Sequence, residues 1–248
     1  RRPSVETKDP DIWFNLHIEN NRAVISLDTS GGSLHRRGYR LDTVDAPMQE
    51  TLAAAVVQMT QWDGSKVLID PMCGSGTIAA EAYMAYAHIP ANYFRKSFGF
   101  EKMPDFEKSI WQNLRKEMDA DIRIPEQIPV QASDVYPSAL RVAKRNLSSL
   151  PGGAGIYTHR KDYREITIPE GAILVMNPPF GIRLHAGEDL SSFYKELGDW
   201  LKQKCQGCEA YIYFGERQYL KNIGLRPEWK RPLAHGGLDG RLAKFVMY

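Results

Sequence analysis

The stretch KVLIDPMCGSGTIAAEA, residues 66–82, decides the fold. Val67, Leu68 and Ile69 form an apolar run too short for a helix, bounded by Lys66 and Asp70, and read as a buried strand. Gly74 and Gly76 then turn the chain, and TIAAEAYMAYA continues without a breaker, as a helix does. Strand, glycine-rich turn and helix make the first half of a βαβ unit, and the turn is its ligand-binding point. A phosphate-binding P-loop needs a lysine directly after its second glycine, and no lysine occurs between residues 67 and 95. A dinucleotide turn needs three glycines or two and an alanine; Gly74, Gly76 and Ala79 leave that open.

On either side the β-then-α order repeats. VQAS (130–133), GIYTHR (155–160), AILVMN (172–177) and AYIYF (210–214) read as further strands, separated by the helices PSALRVAKRNLSSL and SSFYKELGDWLKQ. Two more strand candidates, about 226–233 and 242–248, flank GGLDG. Seven strands with helices between them imply an α/β fold, a doubly wound, Rossmann-like and mostly parallel sheet whose last strand is antiparallel and lies at an edge. Its ligand belongs at the carboxyl ends of the strands, beside the first. Upstream, residues 12–28 alternate apolar and polar around Asn20-Asn21, a β-hairpin, and an arginine-rich connector follows. Asp45 is the expected cap of a helix with Pro47 in its first turn, running to about Trp62. The expected division is an N-terminal hairpin and connector, 1–45, and a main domain, 46–248, with an insertion at about 88–128 in which Trp111 and Tyr93 serve packing.

The 248 residues carry a net charge of only +2, so an electrostatic partner must be read from local clusters. Residues 215–248 hold seven basic residues against three acids, and Arg36, Arg37 and Arg40 fall within five positions. Either cluster suits a phosphate backbone or a solvated face. No apolar run approaches the roughly 18 residues of a membrane span, and no signal peptide opens the chain, so no membrane partner and a cytoplasmic location are expected. Arg1 stands where a start methionine would, as in a chain shortened from a longer parent. Three cysteines do not make a disulfide scaffold. Cys205 and Cys208 have the spacing of half a zinc site, but there is no second pair, and no metal is expected.

The strand ends carry the chemistry. Asp70 ends the first strand, where a carboxylate is ill placed for a pyrophosphate and well placed for an ammonium group. Asp134 closes the second, where it can take two ribose hydroxyls or cap the next helix. Asp162 lies just past the third, where an adenine amine can be met. S-adenosylmethionine (SAM) presents a cationic amino acid, a ribose and an adenine, and this spacing meets all three.

DPMCGSGT, Asp134, Asp162 and NPPFG together resemble the class I SAM-dependent methyltransferases. LDTSGGSLHRRGYR (27–40) followed by APMQETLAAA (46–55) resembles, more specifically, the RlmL/TrmN-type RNA guanine-N2 methyltransferases, which usually carry a THUMP RNA-binding domain upstream. The likeness runs over nearly the whole chain. It implies that Asp70, Pro71, Cys73, Gly74, Ser75, Gly76 and Thr77 shape the turn around the methionine end of SAM. It further implies that Asp134 binds ribose with Val135 against the adenine ring, and that Asp162 meets the adenine amine with Tyr163 beside it. Tyr136 stands where the family often has a second acid, which leaves Asp134 alone on the ribose. The expected substrate is RNA, in particular large-subunit ribosomal RNA, with a THUMP-like domain absent from this chain.

Asn177-Pro178-Pro179-Phe180 closes the fourth strand. An exocyclic guanine amine is a poor nucleophile because its lone pair is delocalised into the ring. Acceptors on its N–H groups pull the nitrogen toward tetrahedral geometry, and the Asn177 side-chain oxygen and Pro178 carbonyl suit that task. Pro178 and Pro179 restrict the backbone, and Phe180 can stack on a base drawn out of its own stack. Asn177 also borders the cofactor. Arg36, Arg37, Arg40 and Arg183 are the candidate RNA contacts, each with a structural ion pair as its alternative. Glu81 braces the glycine turn or faces solvent. A tRNA substrate, adenine-N6 or glutamine methylation, and a non-catalytic RNA-binding module with a vestigial pocket remain as competing functions.

Overall fold

The computed structural model describes residues 4–7, 10–44, 47–179, 190–234 and 239–248. Among these, the elements in chain order are β1 (Trp13–Glu19), β2 (Arg22–Asp28), α1 (Glu50–Thr60), β3 (Leu68–Asp70), α2 (Thr77–Tyr86), α3 (Lys108–Ala120), β4 (Val130–Asp134) and α4 (Pro137–Ser148). They continue with β5 (Tyr157–Arg160), β6 (Ile173–Met176), α5 (Leu190–Lys204), β7 (Glu209–Phe214), β8 (Trp229–Pro232) and β9 (Arg241–Val246).

The chain divides into two units, Tyr39–Ile89 with Arg123–Tyr248, and Arg1–Gly38 with Pro90–Ile122. The smaller unit thus joins the hairpin and part of the connector to the segment read as an insertion. Within it the Arg95 guanidinium donates to the carbonyls of Ser30, Ser33 and Gly32, and its cation lies over the Phe98 ring. Trp111 packs edge-on against Phe98 and Phe100, the packing role expected of it. The hairpin β1–β2 pairs antiparallel from Trp13↔Asp28 to Glu19↔Arg22.

The larger unit holds the seven-stranded sheet, in the order β5-β4-β3-β6-β7-β9-β8. Strands β3 to β7 run parallel, and β9 is antiparallel to both β7 and β8. The antiparallel strand was expected at the edge; it lies one place in, because β9 pairs with β7 along its full length and β8 takes the outside. Leu68, Ile69, Leu174, Val175 and Met176 are fully buried, the continuous apolar run of strands covered on both faces. On one face α5 contributes Tyr194, Leu197 and Leu201, at helical spacing, to a core shared with Ile212, Phe214 and Phe245. Helix α4 buries Ala139, Leu140, Ala143 and Leu147 on one stripe.

Helix α1 starts at Glu50 with Gln49 as its cap, so Pro47 precedes the helix and does not lie in its first turn; Asp45 falls outside the described residues. The physical reason is Arg40, whose guanidinium takes the Met48 carbonyl at 2.7 Å and pairs with Glu50 at 3.3 Å, fixing the chain just ahead of the helix.

Candidate active site

Strand β3 delivers the chain to a turn between Asp70 and Thr77. Gly74 (φ 54°) and Gly76 (φ 79°) both occupy the left-handed region that favours glycine. At Gly76 a Cβ would also come within 3.2 Å of the Ala143 side chain on α4, so a larger residue would push turn and helix apart. The turn is stitched to the end of β4: the Cys73 N–H donates to the Ser133 carbonyl at 2.9 Å, and the Gly74 N–H to Asp134 Oδ2 at 2.9 Å. Asp134 Oδ1 accepts from the Tyr136 N–H at 2.9 Å. The helix-cap alternative for Asp134 is corrected accordingly: Tyr136 is the cap residue of α4, and Asp134 holds that residue's backbone instead.

Asp70 is only 1% exposed. Its carboxylate accepts one long bond, 3.3 Å, from the Met72 N–H, and burial, with the neighbouring Asp134 charge adding to it, raises its pKa to about 8. A buried carboxyl so placed favours a cation beside it. The Cys73 thiol is pushed well up by burial and by the same two acids, so it packs as a neutral group.

Asn177 follows β6 and is 8% exposed, with its Oδ1 buried and unpartnered among the described residues. It lines one cavity with Asp70, Cys73, Gly74, Val44 and Met48. Pro178 is buried and Pro179 half-buried, and the Tyr194 hydroxyl reaches the Pro179 carbonyl at 3.5 Å. Phe180 and Arg183 lie outside the described residues.

Beyond β4 and β5 the site opens. Val135 is 45% exposed, and Tyr136 is exposed beside it. Asp162 is gripped by Arg164, which donates its Nε to Oδ1 and its terminal nitrogen to Oδ2, each at 2.8 Å, holding the carboxyl below its usual range. Tyr163, expected beside the adenine, turns its ring inward against Trp200 and Phe193, and burial assigns it to packing.

The arginines separate. Arg36 is exposed and Arg37 half-buried, both in the smaller unit. Arg40 is corrected from an RNA contact to a structural brace: besides Met48 and Glu50 it donates to Thr77 Oγ1 at 3.0 Å, and its side chain is mostly buried. Glu81 is buried and accepts from the Tyr39 hydroxyl at 2.9 Å, which favours bracing over solvent. Sequence reasoning missed Tyr39, Val44 and, above all, Asn146. The signal was there in Asn146, a polar residue on the apolar stripe of α4, where a buried amide demands partners.

A mostly parallel seven-stranded sheet of this order, with one antiparallel strand, a glycine turn after β3 and an acid closing β4, defines a class I methyltransferase fold. Within that class the chain belongs to the family UPF0020, RMKL-like, methyltransferase domain, whose model matches residues 37–244. Over its whole length it is 38% identical to a Synechocystis sp. protein named "Putative RNA methyltransferase slr0064", of which it covers 65%. It is 34% identical, again over its whole length, to the ribosomal RNA large subunit methyltransferase K/L of Photobacterium profundum, of which it covers 36%. The chain therefore spans between about a third and two thirds of these relatives. The crystal structure of SMU.472, "a putative methyltransferase complexed with SAH", superposes with a TM-score of 0.86 at 25% identity, covering 97% of this chain and 63% of that one.

Proposed function

We propose that this domain transfers a methyl group from SAM to the exocyclic N2 amine of a guanosine in RNA, in particular large-subunit ribosomal RNA. The observation that carries this reading is the Asn177 Oδ1, buried and without a partner among the described residues, in the cavity it shares with Asp70 and Gly74. A buried acceptor without a donor is costly unless a ligand's N–H completes it. The fit to SAM rests on the same cavity: a buried carboxyl awaiting a cation, and a turn whose two left-handed glycines let backbone approach a ligand closely. The names of the relatives support RNA, and ribosomal RNA specifically, as the substrate class.

In this reading Asp70 holds the ammonium, the turn from Pro71 to Thr77 encloses the amino-acid end, and Asp134 offers its remaining lone pairs to the ribose. Val135 supplies an apolar surface for the adenine, and Asp162 accepts from the adenine amine at the open end. Bound there, SAM supplies an electrophilic methyl on a cationic sulfonium. Asn177 Oδ1 and the Pro178 carbonyl accept the two N–H groups of the target amine and turn its lone pair toward that methyl. Pro178 and Pro179 stiffen the acceptor, and the Tyr194 hydroxyl steadies the Pro179 carbonyl. Phe180 stacks on the extruded base, an unstacking that costs a few kcal/mol. Arg36, Arg37 and Arg183 meet phosphates, and the relatives' additional length is where we place most of the RNA grip. No strong base is required, because the amine loses its proton after transfer, and in-line positioning supplies most of the rate.

The test is incubation with labelled SAM and unmodified ribosomal RNA, followed by digestion to nucleosides. Label in N2-methylguanosine is the expected result. Label in adenosine or in protein overturns the guanine assignment, and absence of SAM binding overturns the enzyme.

A further inference from the structure

Asn146 is 0% exposed and sits at the third turn of α4, with no chemical role assigned to it above. Its Oδ1 accepts from the Leu41 N–H at 2.9 Å and the Asp42 N–H at 3.0 Å, and its Nδ2 donates to the Asp42 and Ser75 carbonyls, both at 3.0 Å. One side-chain amide thus bonds two backbone groups of Asp42, one of Leu41 and one of the glycine turn. The segment so held, residues 39–44, is pinned at its other points as well. The Tyr39 carbonyl accepts from Ser149 Oγ at 3.0 Å, and Arg40 donates to Thr77, whose hydroxyl lies 3.2 Å from that of Ser75. The segment ends at Val44, which lines the cavity, with its Cγ2 3.7 Å from where a Cβ on Gly74 would lie.

We propose that Asn146 is a positioning residue: through the strap 39–44 it sets Val44 as a wall against the amino-acid end of the methyl donor. It thereby determines how well that end, and not the adenosine end, is bound. This rests on the assignment of the cavity to SAM. The geometry separates the two ends, because the cavity behind Val44 holds Asp70, Gly74 and Asn177, whereas Val135 and Asp162 are not part of its lining. A polar residue on an apolar helix stripe is also costly unless its bonds are all made. Here all four are made, to two segments that border the same cavity.

The test compares affinities of the whole chain for SAM and for 5′-methylthioadenosine, which keeps the adenosine and lacks the amino acid. Asn146→Ala is expected to weaken SAM about tenfold or more and to leave methylthioadenosine within twofold. Asn146→Asp, which keeps the acceptor for Leu41 and Asp42 and loses the donor, falls between. The Michaelis constant for SAM rises in the same order, with the turnover number unchanged at saturation. Equal weakening of both ligands, or no change in either, overturns the inference. Should Asn146→Ala fail to fold, Asn146→Asp and Val44→Ala decide by the same selectivity. If the unaltered chain binds methylthioadenosine and SAM equally poorly, it is the cofactor assignment that falls.

Discussion

The two ends of the candidate site are built differently. At the β3 and β6 end every element is tied to another: the glycine turn to β4 through Asp134, and the strap to α2 and α4 through Arg40 and Asn146. Among the described residues, Asn177 Oδ1 there has no donor, and the buried Asp70 carboxyl accepts only one long bond, from the Met72 N–H. At the β4 and β5 end Val135 is exposed, and Asp162 is satisfied by its neighbour Arg164. The first end gathers its buried carboxyl and its open acceptor in one cavity, whereas at the second the one carboxylate is already paired, and the buried atoms without a partner among the described residues, Ser133 Oγ, His159 Nδ1 and the Tyr163 hydroxyl, are spread over β4, β5 and the turn that follows. Binding energy is therefore expected to concentrate at the first end and tolerance to substitution at the second.

The comparison is tested most severely at Asn177. Asn177→Ala should lower turnover by about 100-fold, the scale of removing one preorganised hydrogen-bonding group, and leave the SAM dissociation constant within twofold. A large loss of SAM affinity would move Asn177 from the reacting amine to the cofactor. Next comes Asp70→Asn, expected to weaken SAM roughly 10- to 100-fold, the range of a hydrogen bond to a charged group, as read by calorimetry.

Asp70 also gives the closed end a pH signature. Its folded pKa, about 8, lies above the value near 4 of an unfolded aspartate, so the folded chain retains a proton that the unfolded chain releases across that window. Stability contributed by this group is accordingly lost as pH rises from about 4 to about 8. An ammonium ligand draws the proton off, so SAM affinity should climb toward pH 8. Both trends should flatten in Asp70→Asn, followed by thermal melts and titrations at pH 6, 7 and 8. The smallest effect is expected at the open end: Asp162→Ala should weaken SAM by less than about 1 kcal/mol, because the Arg164 fork already competes for that carboxylate. A loss there as large as at Asp70 would erase the distinction between the ends.

The same contrast explains what could be read from the chain alone. The sheet is legible because its strands are short apolar runs ended by turn residues, and Asp70, Asp134 and Asn177 are legible because each closes such a run. The strap is not, because Asn146 meets Leu41 across 105 positions, and nothing local to RRGYR separates an arginine bound for solvent from one bound for Glu50 and Thr77. The surroundings of Tyr163 are illegible for a related reason: adjacency to Asp162 fixes its place in the chain, but its ring packs edge-on against Trp200 on α5.

The position of β9 bears on the order of assembly. Synthesised after β8 yet inserted between β7 and β8, it is the strand that joins them into one sheet. Until Arg241–Val246 has left the ribosome, β7 presents an unpaired edge with Ala210, Ile212 and Phe214 on one face, and β8 has no ladder to join. A nascent chain stalled before that point is exposed to edge-to-edge pairing with its neighbours, so completion of the sheet and protection from aggregation arrive with the same six residues.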